Sequence, residues 1–296
     1  QLEFEGENGI GTNLSQTNHF NISHDSLVII SDWQKKIYLL NAEGKVQRKY
    51  DLMASNVYQN DGPIIIYMTN DNRPIYEAGN LYFNAHYLEY NKNNNNGNIL
   101  KLNLSTGIFS SDILPPDHYY ENCWGTAYSL NTFHTKINNN TTVISYGVDP
   151  NLYYYSNGTR VVKPTPSKYF EPLEPWSNDP KDYKDMSTWQ ERKDHSVLGA
   201  KYYKLVYLDN PKTLLRETFL PRTQEEMTRG IQGLKKSIQI INDKLEIVGE
   251  HVFETGKYFT SNYLETSDGI YIANYQKYLK NEDLLQFDLY EPKKIK

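Results

Sequence analysis

Residues 25–52 read DSLVIISDWQKKIYLLNAEGKVQRKYDL, and the order of residue types in this stretch decides the fold. Leu27-Val28-Ile29-Ile30 is a continuous and largely β-branched run, as expected of a strand covered on both faces. Lys36-Ile37-Tyr38-Leu39-Leu40 is a second run, and Asn41-Ala42-Glu43-Gly44 follows it, with Gly44 suited to the positive φ of a hairpin turn. Residues 46–52 then alternate between apolar and polar. Three strands joined by short turns make an antiparallel meander, because a parallel crossover needs a dozen or more connecting residues.

The same order recurs along the chain. A second copy runs through Asn80-Leu81-Tyr82-Phe83 and residues 99–104, with the turn Ser105-Thr106-Gly107, and ends at Ile113-Leu114-Pro115. A third comprises residues 141–146, Asn151-Leu152-Tyr153-Tyr154-Tyr155, the turn Ser156-Asn157-Gly158 and Thr159-Arg160-Val161-Val162. Residues 203–207, 214–220, 237–241 and 246–250 form a fourth, and residues 269–273 with 284–289 a fifth.

Meanders repeating every ~40–60 residues are the mark of a β-propeller, whose sheets stack radially around a channel. A β-sandwich also shows short strands with regular turns, but two apolar runs, a glycine turn and an alternating run in fixed order favour the propeller. The chain reads as all-β, a single β-propeller domain over residues 1–296 with five visible units. Residues 2–5 are expected to supply the outer strand that closes the ring.

Two segments break the rhythm. Residues 91–98, NKNNNNGN, read as a polar hairpin tip. Residues 163–193 carry several prolines, many charges and two tryptophans, so they cannot be a central strand. They read as an excursion between blades, with a short helical turn near residues 180–190. A second short helix is expected at residues 223–230.

Composition narrows the function. The 26 Tyr among 296 residues suit half-buried strands. A net charge of -5 and the lack of a basic stripe argue against a nucleic-acid partner. Cys123 is the only cysteine, so no intrachain disulfide forms, which fits the cytosol and an unstapled extracytoplasmic protein equally. No run of 18 apolar residues is present to span a membrane, and no export signal stands at the start. The abrupt opening on Gln1-Leu2-Glu3-Phe4 leads us to expect an upstream segment that was processed or trimmed.

Propellers meet ligands with the loops at one end of the channel, so candidate ligand-binding residues are polar and aromatic groups between units. These are Asp71, Arg73, Glu77 and His86 around the second unit, His118, Tyr120 and Trp124 before the third, and Lys193 and His195 before the fourth. Asp71, Glu77 and His86 are the set that could converge on a metal, but no HExxH motif supports one and none is expected. The fragment Asn70-Asp71-Asn72 lacks the later glycine and glutamate of an EF-hand. No GxSxG elbow marks a serine nucleophile, and Cys123, though near His118 and His134 in sequence, reads as a buried inert thiol. Neither GxGxxG nor GxxxxGK[ST] occurs, so no cofactor is expected. The adjacent tyrosines 153–155 and 119–120 could stack on a ligand but fit packing between blades better.

Several strings carry a resemblance. They are Glu5-Gly6-Glu7-Asn8-Gly9-Ile10-Gly11, Asp25-Ser26-Leu27, residues 203–209 followed by Arg216, Ile240-Ile241-Asn242-Asp243 leading to Val248-Gly249-Glu250, and Gly269-Ile270-Tyr271 with Asn281-Glu282-Asp283 before Phe287. Together they resemble a family of Bacteroidetes lipoproteins with a TolB-like six-bladed β-propeller, a domain of unknown function. The resemblance covers most of the chain, and its motifs are structural, so no catalytic residue carries over. It implies six blades, export, and a lipid anchor at an upstream cysteine, placing the protein at the outer membrane or cell surface. The expected function is a monomeric, extracytoplasmic binding module for a protein, peptide or glycan. The alternatives are a propeller hydrolase or lyase using carboxylates and His at the channel mouth, and a purely structural surface protein.

Overall fold

The computed structural model describes residues 17–32, 34–61, 64–66, 72–87, 98–113, 115–138, 140–156, 158–169, 171, 173–209, 212–228, 235–253, 256–266 and 269–291. The expected closing strand at residues 2–5 and most of the polar tip at 91–98 lie outside them. Two compact units divide the chain, residues 1–120 and 121–296.

The first unit holds two sheets. Strands β1 (Thr17–Ser23), β2 (Ser26–Ser31), β3 (Lys36–Asn41) and β4 (Val46–Asp51) pair in chain order, all antiparallel. The opening stretch is therefore three strands of a four-stranded meander. The strand before it, β1, has no apolar run and half-buries alternate residues such as Phe20 and Ile22. In the second sheet β7 (Asn80–Tyr87) pairs with β8 (Ile99–Asn103), and β8 with β9 (Phe109–Ile113). The other edge of β7 is shared by two short strands, β5 (Ile64–Ile66) along one half and β6 (Ile75–Glu77) along the other.

Three sheets make up the second unit. The first comprises β10 (Thr132–Asn138), β11 (Thr141–Tyr146), β12 (Asn151–Ser156) and β13 (Thr159–Pro164). The next comprises β14 (Lys201–Asp209), β15 (Lys212–Phe219), β16 (Lys236–Ile241) and β17 (Ile247–Phe253), and the last β18 (Tyr258–Thr266), β19 (Gly269–Asn274) and β20 (Phe287–Tyr290). Short helices punctuate the chain: α1 (Asn56–Asp61), α2 (His118–Glu121), α3 (Trp189–Leu198), α4 (Gln224–Thr228) and α5 (Tyr275–Tyr278). Helix α4 opens with a reciprocal capping box. Thr223 Oγ1 accepts from the Glu226 N–H at 3.1 Å, and Glu226 Oε2 accepts from the Thr223 N–H at 2.8 Å.

Five sheets among the described residues match the five units read from the sequence. Three boundaries differ. Lys163 and Pro164 pair with Leu152 and Asn151, so β13 runs on and the excursion begins at Thr165. Pro164 is tolerated because it ends an edge strand, where no N–H is needed. The helical turn expected near 180–190 is two 3-10 turns, Pro180–Lys184 and Met186–Thr188, followed by α3 reaching Leu198. The strand expected from residue 284 starts at Phe287, because a turn closed by the Leu284 N–H to the Asn281 carbonyl precedes it.

Period-two alternation stacks the sheets. In β14, Leu205 packs with Phe133, Val143 and Leu152 of the preceding sheet, while Val206 and Leu208 face Ile270 and Ile272 of the following one. Sheets one and two stack likewise through Val28, Ile30 and Ile37 against Leu81, Phe83 and Leu100. A strand buried on both faces needs an apolar run, which is why the inner strands were legible.

The β6–β7 hairpin turns on Ala78 (φ 46°) and Gly79 (φ 77°), the two positive dihedrals of a type I′ turn. The left-handed region costs an alanine about 1–2 kcal/mol. Ala78 is exposed. Ala78→Asn is therefore expected to stabilise the protein by about 0.5–1 kcal/mol, read as a higher urea midpoint with unchanged m; an unchanged or lower midpoint contradicts the turn assignment.

Candidate functional site

The excursion after β13 is a built structure rather than a slack loop, and two buried arginines hold its ends. Arg216, in the middle of β15, is fully buried. Its Nη1 donates to the Pro150 carbonyl at 2.9 Å and to the Thr165 carbonyl and Oγ1 at 3.3 and 3.1 Å. Its Nη2 donates to the Asp149 and Asn151 carbonyls at 2.7 and 3.3 Å, and its Nε to Ser145 Oγ at 2.8 Å. The guanidinium lies 3.3 Å from the Tyr202 ring centroid. A planar fork with five donors suits this ring of carbonyls, where a lysine would not. Beyond Thr165, Glu250 of β17 accepts from Ser167 Oγ at 2.6 Å and from the Lys168 N–H at 3.1 Å, which fixes the next turn.

At the far end, Arg192 of α3 is equally buried. It donates to the Gly125 carbonyl at 3.0 Å, the Asp185 carbonyl at 2.7 Å and Thr188 Oγ1 at 3.1 Å. The approach needs glycine at 125: its φ is +92°, and a Cβ there would stand 2.6 Å from the Arg192 carbonyl oxygen. The Asp185 carboxylate accepts from the Ser187 N–H and Oγ at 2.9 and 2.6 Å, and these bonds hold it below the usual carboxylate range. Midway, a short antiparallel bridge ties the excursion to the segment before β10, with the Cys123 N–H donating to the Ser177 carbonyl at 2.9 Å and the Trp176 N–H to the Cys123 carbonyl at 2.7 Å.

Several large side chains of the excursion reach solvent. Trp189 is 40% exposed, Met186 72% and Tyr169 46%. The Arg192 guanidinium carbon sits 5.6 Å from the Trp189 ring centroid and backs that ring. Trp176 meets His195 edge to face at 5.6 Å. His195 Nε2 lies 2.9 Å from the Glu174 carbonyl, which can only accept, so this nitrogen carries the proton. Ring faces fixed in this way can stack on a planar or ring-bearing ligand without losing rotamer freedom on binding.

The structure gathers three of the expected site residues here. Lys193 is exposed on α3, His195 is half-buried on the same helix, and Trp124 is buried beneath it, its N–H donating to Tyr183 Oη at 2.8 Å. The others fall in the 1–120 unit: Arg73 is exposed, Glu77 ends β6, and half-buried His118 has its ring centroid 5.0 Å from that of Tyr119. His86 pairs through its backbone with Ile65, while Asp71 and the side chains of His86 and Tyr120 lie outside the described residues. Among the described residues no group of three or more His, Cys, Asp or Glu is placed to hold a metal. Cys123 is buried, which pushes its thiol up and leaves it a poor nucleophile. Sequence reading missed Trp176, Trp189 and Met186 as surface groups. Their signal was two tryptophans in a charged, proline-rich stretch with no strand to bury them.

A shallow groove of about 720 Å3 lies at the hairpin ends of the first sheet, lined by residues including Ile22, His24, Leu27, Asn41 and Glu43. We place the site on the excursion instead, because the groove is walled by ordinary turns. Asn41 Oδ1 already accepts from the Lys45 N–H, and Ser23 Oγ from the Asp25 N–H.

Repeated antiparallel meanders stacked face to face define an all-β protein of the β-propeller class. No family model and no curated protein matches the sequence. Solved structures do. The crystal structure of a DUF4221 family member from Bacteroides vulgatus ATCC 8482 superposes with a TM-score of 0.76 at 14% identity, over 98% of this chain and 82% of that one. A candidate exported protein from Bacteroides fragilis NCTC 9343 gives a TM-score of 0.52 at 10% identity, over 90% and 69%. At these identities the likeness establishes the fold alone. No helix among the described residues is long and apolar enough to cross a membrane.

Proposed function

We propose that the chain is a non-catalytic, extracytoplasmic binding module that takes a protein, peptide or glycan ligand on the excursion between β13 and β14. The observation that carries this reading is the fixed aromatic surface, with Trp189 and Met186 exposed on a segment held at both ends by buried arginines. Trp189 opens α3 with its ring 40% exposed and backed by the Arg192 guanidinium, an arrangement suited to ligand stacking. Export is supported by the likeness to a candidate exported protein and by the family resemblance, which also supplies anchoring through an upstream lipid at the outer membrane or cell surface. The module acts as a monomer.

Glycan and peptide arrays probed with the pure protein test the proposal. A ligand should appear whose affinity falls at least about tenfold in Trp189→Ala, as for an aromatic hot spot. Turnover of the ligand, or binding that Trp189→Ala and Trp176→Ala both leave unchanged, overturns it.

A further inference from the structure

Lys201, at the start of β14, holds its amine in an uncommon setting. Nζ donates to Ser196 Oγ at 2.9 Å. Ser196 Oγ in turn lies 2.6 Å from Ser129 Oγ and 2.8 Å from Thr126 Oγ1, and all three hydroxyls are buried. Among the described residues no carboxylate forms an ion pair with Nζ. The amine has given up most of its water for a neutral oxygen, and Arg222, just ahead of α4, adds a second positive charge nearby. Glu226 of α4 acts on Arg222. Burial first, and Arg222 second, push the Lys201 amine down to about 8. Desolvation and a neighbouring cation are the two devices that make a lysine nucleophilic near neutral pH.

Access decides which group of the cluster can react. Ser196 and Ser129 are sealed at 1% and 0% exposure, so no carbonyl carbon can reach either hydroxyl. Lys201 is half-buried as a residue, the least covered member of the cluster. Its amine rather than a hydroxyl is therefore assigned as the nucleophile, with the hydroxyls placed to pass protons.

We propose that Lys201 is a covalent capture site for small aldehydes, forming an imine with the Ser196 hydroxyl as the adjacent proton donor and acceptor. The lone pair of neutral Nζ attacks the carbonyl carbon, and the π pair moves onto oxygen, which takes a proton. Nζ gives up both of its protons to that oxygen, the first to form the carbinolamine and the second as the C–O bond breaks, so the oxygen leaves as water while the C=N bond forms. Nothing is oxidised or reduced. Ser196, in contact with Ser129 and Thr126, carries the proton from nitrogen to oxygen.

The test uses the full chain with acetaldehyde and cyanoborohydride, which traps an imine as an ethylamine, followed by site-resolved peptide mapping across pH. Near pH 8 Lys201 should be ethylated at least about tenfold faster than the exposed Lys193 and Lys212. Lys201→Arg should abolish that adduct and leave the rates at Lys193 and Lys212 unchanged. Ser196→Ala should slow it at least about tenfold. A wild-type Lys201 rate equal to or below those of Lys193 and Lys212 overturns the site, and that measurement needs no variant to fold. A Ser196→Ala rate equal to wild type overturns the proton-transfer role.

Discussion

Arg216→Ala should destabilise the protein by at least about 4 kcal/mol. The guanidinium is the donor that reaches the carbonyls of Asp149, Pro150, Asn151 and Thr165 together. The Thr165 carbonyl keeps Gln239 Nε2 and the Pro150 carbonyl keeps the Thr165 N–H and Oγ1, but the Asp149 and Asn151 carbonyls lose the guanidinium, and each buried carbonyl that loses its donor costs about 1–3 kcal/mol. Truncation also opens a cavity beside Tyr202, which packs on the guanidinium. Arg216→Lys should recover less than half of the loss, because one ammonium cannot span acceptors that a planar fork joins. Urea denaturation of both variants measures this, and a loss below about 1 kcal/mol for Arg216→Ala would refute the assigned role. The site should change with the scaffold. Arg216 fixes Thr165, where the excursion begins, so limited proteolysis of Arg216→Lys should cut within residues 165–198 under conditions in which the wild type resists. Cutting elsewhere first would separate the arginine from the platform.

How far the sequence could be read follows from which residues strands need. Central strands covered on both faces require apolar runs, so Leu27 to Ile30 in β2 and Val143 to Tyr146 in β11 stood out. The first strands of the first and third sheets did not. Strand β1 (TNHFNIS) and strand β10 (TFHTKIN) interleave polar residues with single aromatics and resemble loops. Those strands became visible only through their pairing with a legible neighbour. At the site, polarity picked out Lys193 and His195, which fall on one helix, but it could not distinguish the buried Trp124 from the exposed Trp189. Arg192 and Arg216 were hidden for a related reason. A charged residue is assigned to solvent unless its partners are known, and here the partners are backbone carbonyls, which leave no trace in a sequence.

The same strand carries the second large effect, on its opposite face. Glu217 and Lys236 form an ion pair at 3.3 Å with side-chain exposures of 2% and 1%. They stand diagonally across β15 and β16, since Glu217 pairs with Ile238 and Lys236 with Phe219. Lys236 Nζ also lies 6.0 Å from the Phe253 ring centroid. Removing one partner takes a compensating charge from a group held away from water, and Lys236→Met should cost about 3–5 kcal/mol. Removing both should cost far less, because the desolvation penalty of the pair disappears with it. Lys236→Met/Glu217→Leu is therefore expected within about 1 kcal/mol of wild type. A double-mutant cycle in urea isolates the coupling, and additive single effects would show that the pair contributes nothing beyond its packing. Restored stability in the double variant would mean that the ion pair fixes how β16 registers against β15 rather than how strongly it is held. That role suits a sheet of short strands, in which a one-residue slip turns every inward side chain outward.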